Sequence, residues 1–140
     1  MKLILDTSAY AGFKLGYSKL VEYLVRADVI FVSPIVLGEL MFGFRNGSRF
    51  SENMEDLNLF LSHPAVENIT ITDITSDRYS RIALQLKQWG TPIPSNDIWI
   101  AAQTMETGAE LVTMDNHFGY ISGLVYRLFV LPSTSQSQNF

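Results

Sequence analysis

The chain has no cysteine, which excludes a disulfide framework and any thiolate metal site. It has two histidines, His63 and His117, and neither has partners at zinc-ligand spacing. No apolar stretch approaches the roughly 20 residues that span a bilayer. One lysine precedes a short apolar run that Asp6 cuts off, so the beginning does not read as a signal peptide. The glycines match neither the P-loop nor the dinucleotide fingerprint, and Ser8 lacks a nucleophile elbow. Positive charge is scarce as well. A net charge of −4 and a pI of about 5.0 argue against a general basic coat for nucleic acid. The expectation is a cytoplasmic protein whose chemistry, where it has any, rests on oxygen ligands.

What is present is enough for one packed domain. The chain has 140 residues, 47% of them hydrophobic, so a single core is expected. Residues 1–132 read as that domain, and the Ser/Gln-rich residues 133–140 as a disordered tail. Continuous or β-branched apolar runs predict strands near 2–6, 29–33, 66–72, 110–114 and 125–131. Helical patterns lie between them, near 10–26, 35–44, 51–61, 76–89 and 95–106. Thr7, Ser8, Ser51 and Ser95 read as helix caps. Strands alternating with helices imply an α/β domain, a parallel sheet with helices on both faces. In such sheets sites form beyond the carboxyl ends of the strands.

Four acids stand alone in segments otherwise built for burial. Asp6 ends the run Leu3-Ile4-Leu5, and Glu39 interrupts Ile35-Val36-Leu37-Gly38 and Leu40-Met41-Phe42. Asp97 opens Ile98-Trp99-Ile100-Ala101-Ala102, and Asp115 closes Leu111-Val112-Thr113-Met114. Carboxylates are rarely buried unless paired or bound to metal. Each has an ordinary alternative. Asp6 and Asp115 suit turns or caps, Asp97 suits the first turn of a helix, and Glu39 has Arg45 nearby in sequence. The joint pattern points to one shared hard cation, Mg²⁺ or Mn²⁺, which prefers carboxylate oxygen and water. Such an ion eases deprotonation of water and neutralises charge on phosphoryl oxygens. Setting these four aside leaves as many acids as Lys and Arg together, so the excess negative charge collects in one place.

Other candidates carry less. His117, two residues after Asp115, reads either as a substrate or water contact or as a packing partner of Phe118. Arg45 and Arg49 flank Asn46-Gly47-Ser48, with Phe44 and Phe50 outside them. Bases interleaved with aromatics can grip a single nucleic-acid strand; a solvated helix end is the other reading.

The order Asp6-Thr7-Ser8, then Glu39 within Pro34–Leu40, then Asn96-Asp97, then Thr113-Met114-Asp115-Asn116-His117-Phe118 resembles the PIN-domain nucleases. Among them it is most similar to the VapC-type toxins of toxin–antitoxin modules. The resemblance implies a three-layer α/β/α fold with a short parallel sheet of about four or five strands. It implies an endoribonuclease dependent on Mg²⁺ or Mn²⁺, with Asp6, Glu39, Asp97 and Asp115 as its catalytic, metal-holding acids. Asp6 and Asp97 would bind directly, and Glu39 and Asp115 directly or through water. Thr7, Ser8 and Thr113 would orient the acids. It further implies an RNA substrate, a homodimer and a cognate antitoxin whose peptide enters the acidic groove. Met114 stands where the family often has a basic residue. Two other readings stay open: a PIN-like module that binds RNA or protein without cutting, and a phosphatase-like hydrolase with Asp6 as nucleophile. The lysine such a phosphatase would need is not evident.

Overall fold

The computed structural model describes residues 1–131. The expected disordered tail, 133–140, lies outside them. Five strands, β1 (Lys2–Leu5), β2 (Val29–Val32), β3 (Val66–Asn68), β4 (Glu110–Thr113) and β5 (Tyr126–Leu128), form one sheet in the order β3-β2-β1-β4-β5. Every pairing is parallel. Helices α1 (Thr7–Lys14), α2 (Ser18–Leu24), α3 (Pro34–Arg45), α4 (Phe50–Leu61), α5 (Asp73–Trp89) and α6 (Ser95–Thr107) complete the architecture.

The central strand is apolar on both sides because both sides are covered. Leu3 and Leu5 join Ala9 of α1 and Leu20 and Leu24 of α2 in one core. Ile4 joins Val36 and Leu40 of α3, Ile82 and Leu86 of α5, and Ile98 and Ile100 of α6 in the other. Alternation within one strand thus feeds two cores, which makes the fold three-layered. Each buried Leu or Ile contributes about 1.5–3 kcal/mol relative to exposure.

Chain direction reverses its placement at β1. Strands β2 and β3 add on one side of it, β4 and β5 on the other. The carboxyl ends of β1 and β4 therefore flank the switch point, where open α/β sheets form their crevice.

Several local expectations are corrected. The helix expected over 10–26 is two, α1 and α2, broken at Gly16, whose φ of +77° suits glycine. Asp6, not Thr7 or Ser8, caps α1, accepting from the Ala9 N–H. Ser51 does not cap α4, which starts one residue earlier and has no side-chain cap. Ser95 lies inside α6 after Pro94, its hydroxyl 2.6 Å from that of Tyr79. The strand expected over 66–72 spans only Val66–Asn68, because Thr72 turns back to cap α5 through a reciprocal bond pair with Thr75.

Candidate metal centre

Asp6 follows β1 and is 4% exposed. Both its oxygens are engaged. Oδ1 accepts from Ser8 Oγ and Ala9 N, each at 2.8 Å, and Oδ2 accepts from Thr113 Oγ1 at 2.5 Å. The same hydroxyls hold the next strand end. The Met114 N–H donates to Ser8 Oγ and the Asp115 N–H to Thr113 Oγ1, both at 2.9 Å. Ser8 and Thr113 thus lock the ends of β1 and β4 together around one carboxylate.

Asp97 sits in the first turn of α6, with its side chain 15% exposed. Asp115 caps the 3₁₀ turn Asn116–Tyr120, accepting from the His117 N–H at 2.9 Å. Phe118, fully buried, anchors that turn in the core. His117 therefore projects between two acids: its Nδ1 lies 3.3 Å from Asp97 Oδ2 and 3.0 Å from Asp115 Oδ1. One oxygen from each acid and one ring nitrogen all fall within 4.8 Å of one another.

Glu39, on α3, lies outside that three-residue group and is held beside it by two hydrogen bonds. Thr7 Oγ1 donates to its Oε1, and Asn96 Nδ2 donates to its Oε2 at 3.1 Å. The alternative partner, Arg45, does not pair with it. Arg45 lies over the Phe50 ring, 4.2 Å from its centroid. Among the described residues no Arg or Lys pairs with any of the four acids.

The electrostatics show the convergence. Burial pushes the Asp6 carboxyl above its ordinary value; the bonds from Thr113, Ala9 and Ser8 oppose the rise, and the charge on Asp97 adds to it. Asp97 is likewise raised, first by burial. The His117 contact opposes, and the charges of Asp115 and Glu39 push further upward. The charges of Asp115 and Glu39 thus act on Asp97, and that of Asp97 on Asp6, from separate parts of the chain. Negative charge concentrated this way, with no lysine or arginine paired to it among the described residues, fits a divalent cation held by oxygen.

The ordinary readings of three acids also hold. Asp6 and Asp115 cap helical turns and Asp97 occupies a first turn, so a structural task and a place in the cluster coexist in one residue. Two contributors were undervalued in sequence. Asn96 was only a neighbour of Asp97, yet it holds Glu39. His117, which the sequence offers as a substrate or water contact or as a packing partner of Phe118, lies between two acids. Its offset of two residues from Asp115 was the only sequence signal. Of the two arginines, Arg49 pairs with Glu52 at 2.8 Å on the surface, and Arg45 stacks as described.

The model of the PIN domain matches residues 3–124. Ribonuclease VapC2 of Rickettsia felis is 32% identical over 98 residues, covering 70% of this chain and 72% of that protein. Ribonuclease VapC5 of Mycobacterium tuberculosis is 25% identical over 120 residues, covering 86% and 87%. In the crystal structure of VapBC2 from Rickettsia felis bound to a DNA fragment from their promoter, one chain superposes with a TM-score of 0.82 at 27% identity. The match covers 92% of this chain and 99% of that one. Sequence order, sheet topology and these likenesses agree: the chain belongs to the PIN-domain family, among its VapC-type members.

Proposed function

We propose that the protein is a metal-dependent endoribonuclease and the toxin of a toxin–antitoxin pair. The observation that carries this reading is the gathering of Asp97, Asp115 and His117 within 4.8 Å at the switch point of the sheet, with Asp6 tied to Asp115 through Thr113 and Glu39 held by Asn96. The two relatives named ribonucleases support RNA as the substrate. The VapC-type resemblance adds a cognate antitoxin and a homodimer.

The reaction is in-line attack of water on a phosphodiester, with one P–O bond formed and one broken. Mg²⁺ or Mn²⁺, when bound, supplies positive charge that lowers the pKa of water and offsets charge on phosphoryl oxygens. Asp6, Asp97, Glu39 and Asp115 are the residues that would hold it. Thr113 and Ser8 fix the Asp6 carboxylate, and Thr7 and Asn96 fix Glu39, so the oxygens are oriented before any ligand arrives. Glu39 faces a cleft of about 590 Å³ that it shares with Thr7, Pro34, Ile35, Gly38, Phe42 and Asn96; this is the side proposed for RNA entry. Arg45 and Arg49 lie at the far end of α3, where contact with a longer RNA would fall.

Asp6 as a phosphatase nucleophile is disfavoured. Both its oxygens accept hydrogen bonds and it is almost wholly buried, so attack on phosphorus would require breaking its support. Incubation with structured RNA, with and without Mn²⁺, tests the proposal. Cleavage is expected only with the metal, and Asp97→Asn should lower it by at least about a hundredfold. Equal cleavage by that variant refutes the assignment. Mn²⁺ binding without any cleavage favours the non-cutting module.

A further inference from the structure

We infer that His117 is itself a ligand of the cation, so that the centre is a mixed oxygen–nitrogen site selective for a transition ion such as Mn²⁺ over Mg²⁺. This rests on the metal-dependent reading above. The argument begins with spacing. Neighbouring ligands of an octahedral ion, at bonds of about 2.1 Å, lie about 3 Å apart. His117 Nδ1 is 3.0 Å from Asp115 Oδ1 and 3.3 Å from Asp97 Oδ2. All three atoms lie within 4.8 Å of one another, so one ion can meet them with little movement.

The backbone supports the same conclusion. Phe118 is fully buried, and the His117 N–H is bonded to Asp115. The ring is thus carried on an anchored turn whose capping acid belongs to the cluster. The His117 side chain is 42% exposed, so core packing does not hold the ring. Carboxylate and water suit Mg²⁺ and Mn²⁺ alike, but imidazole nitrogen suits transition ions, and Mg²⁺ is the harder ion that keeps an oxygen shell. Adding one nitrogen to an oxygen set therefore shifts preference toward Mn²⁺.

The competing role is a counter-charge: His117 neutralises two carboxylates and swings aside when the ion binds. The two roles predict opposite signs. A ligand, once removed, weakens Mn²⁺ binding; a competitor, once removed, strengthens it. Titration calorimetry on the wild-type chain, His117→Ala and His117→Asp decides between them. His117→Ala is expected to weaken Mn²⁺ binding by about tenfold or more and Mg²⁺ binding by clearly less. His117→Asp, with a hard oxygen in place, is expected to recover Mg²⁺ binding but not the Mn²⁺ preference.

Pulsed electron paramagnetic resonance of the Mn²⁺-loaded wild type supplies a readout independent of activity and of folding in the variants. Nitrogen-14 modulation from a directly bound imidazole is expected. Mn²⁺ bound without that modulation, or bound more tightly by His117→Ala, overturns the inference and leaves the acidic metal centre standing. No Mn²⁺ binding by the wild type overturns both.

Discussion

Thr113 on β4 donates its hydroxyl to Asp6 at the end of β1 at 2.5 Å, across 107 residues of sequence. The same oxygen accepts from the Asp115 N–H at 2.9 Å. One hydroxyl thereby ties two of the four acids to a single geometry. Thr113→Val keeps the shape and removes both bonds. A lost hydrogen bond to a buried charged group costs about 1–3 kcal/mol, so urea denaturation should show a loss of that size. The Asp6 carboxyl should titrate higher still, since Thr113 opposes its rise. Thr113→Ser should restore most of both; a silent Thr113→Val would remove this hydroxyl from any organising role.

Acid titration should reveal the crowding of Asp6 and Asp97. Both folded-state values are raised, so the native state holds protons that the unfolded chain releases first. Stability of the metal-free protein should therefore fall as pH climbs from about 4 through the raised values, then level off. Asp97→Asn removes its share of that fall. At neutral pH its metal-free stability should match or exceed that of the wild type. A large drop in Tm would make Asp97 chiefly a first-turn acid paired with the helix dipole.

Metal addition should act in the opposite sense. A ligand that binds only the folded state stabilises it by about 2.7 kcal/mol at a hundred times its Kd. For a chain of this length that raises Tm by roughly 10 °C. Thermal melts with Mn²⁺ should show the increase, EDTA should reverse it, and Asp97→Asn should abolish most of it. Equal increases in wild type and variant would place the ion elsewhere.

Gly12 on α1 sets how closely Met114 approaches. A Cβ there would lie 2.5 Å from Met114 Sδ, 2.9 Å from Leu20 Cδ2 and 3.2 Å from Tyr17 Cδ2. Alanine in a helix interior gains about 1 kcal/mol over glycine, but overpacking costs about 1–3 kcal/mol. Three simultaneous contacts make the second term win, so Gly12→Ala should be destabilising in calorimetry. A stabilised variant would mean that Met114 yields freely.

Much of the fold was legible because it rests on local patterns. The run Leu3-Ile4-Leu5 could only be a buried strand, and Pro34 marked the start of α3 where α3 starts. Gly90 and Gly108 close α5 and α6 in left-handed conformations, as helix-ending glycines do. Boundaries failed where side chains competed. Asp6 outbid Thr7 and Ser8 for the α1 cap because their hydroxyls turn to Glu39 and to Asp6 itself. Gly16 split a helix whose hydrophobic periodicity ran on without interruption.

The sequence by itself determined that lone carboxylates would interrupt apolar segments, because burial without compensation is too costly for such residues to persist by chance. It also determined the parallel α/β architecture, through strand and helix periods that depend only on near neighbours. Tertiary structure alone decided who stands beside whom. Asn96 on Glu39, Thr113 on Asp6 and His117 between Asp97 and Asp115 are contacts over 57, 107, 20 and 2 residues. Most are set by strand order and by the buried anchor Phe118, which no periodicity in the chain encodes.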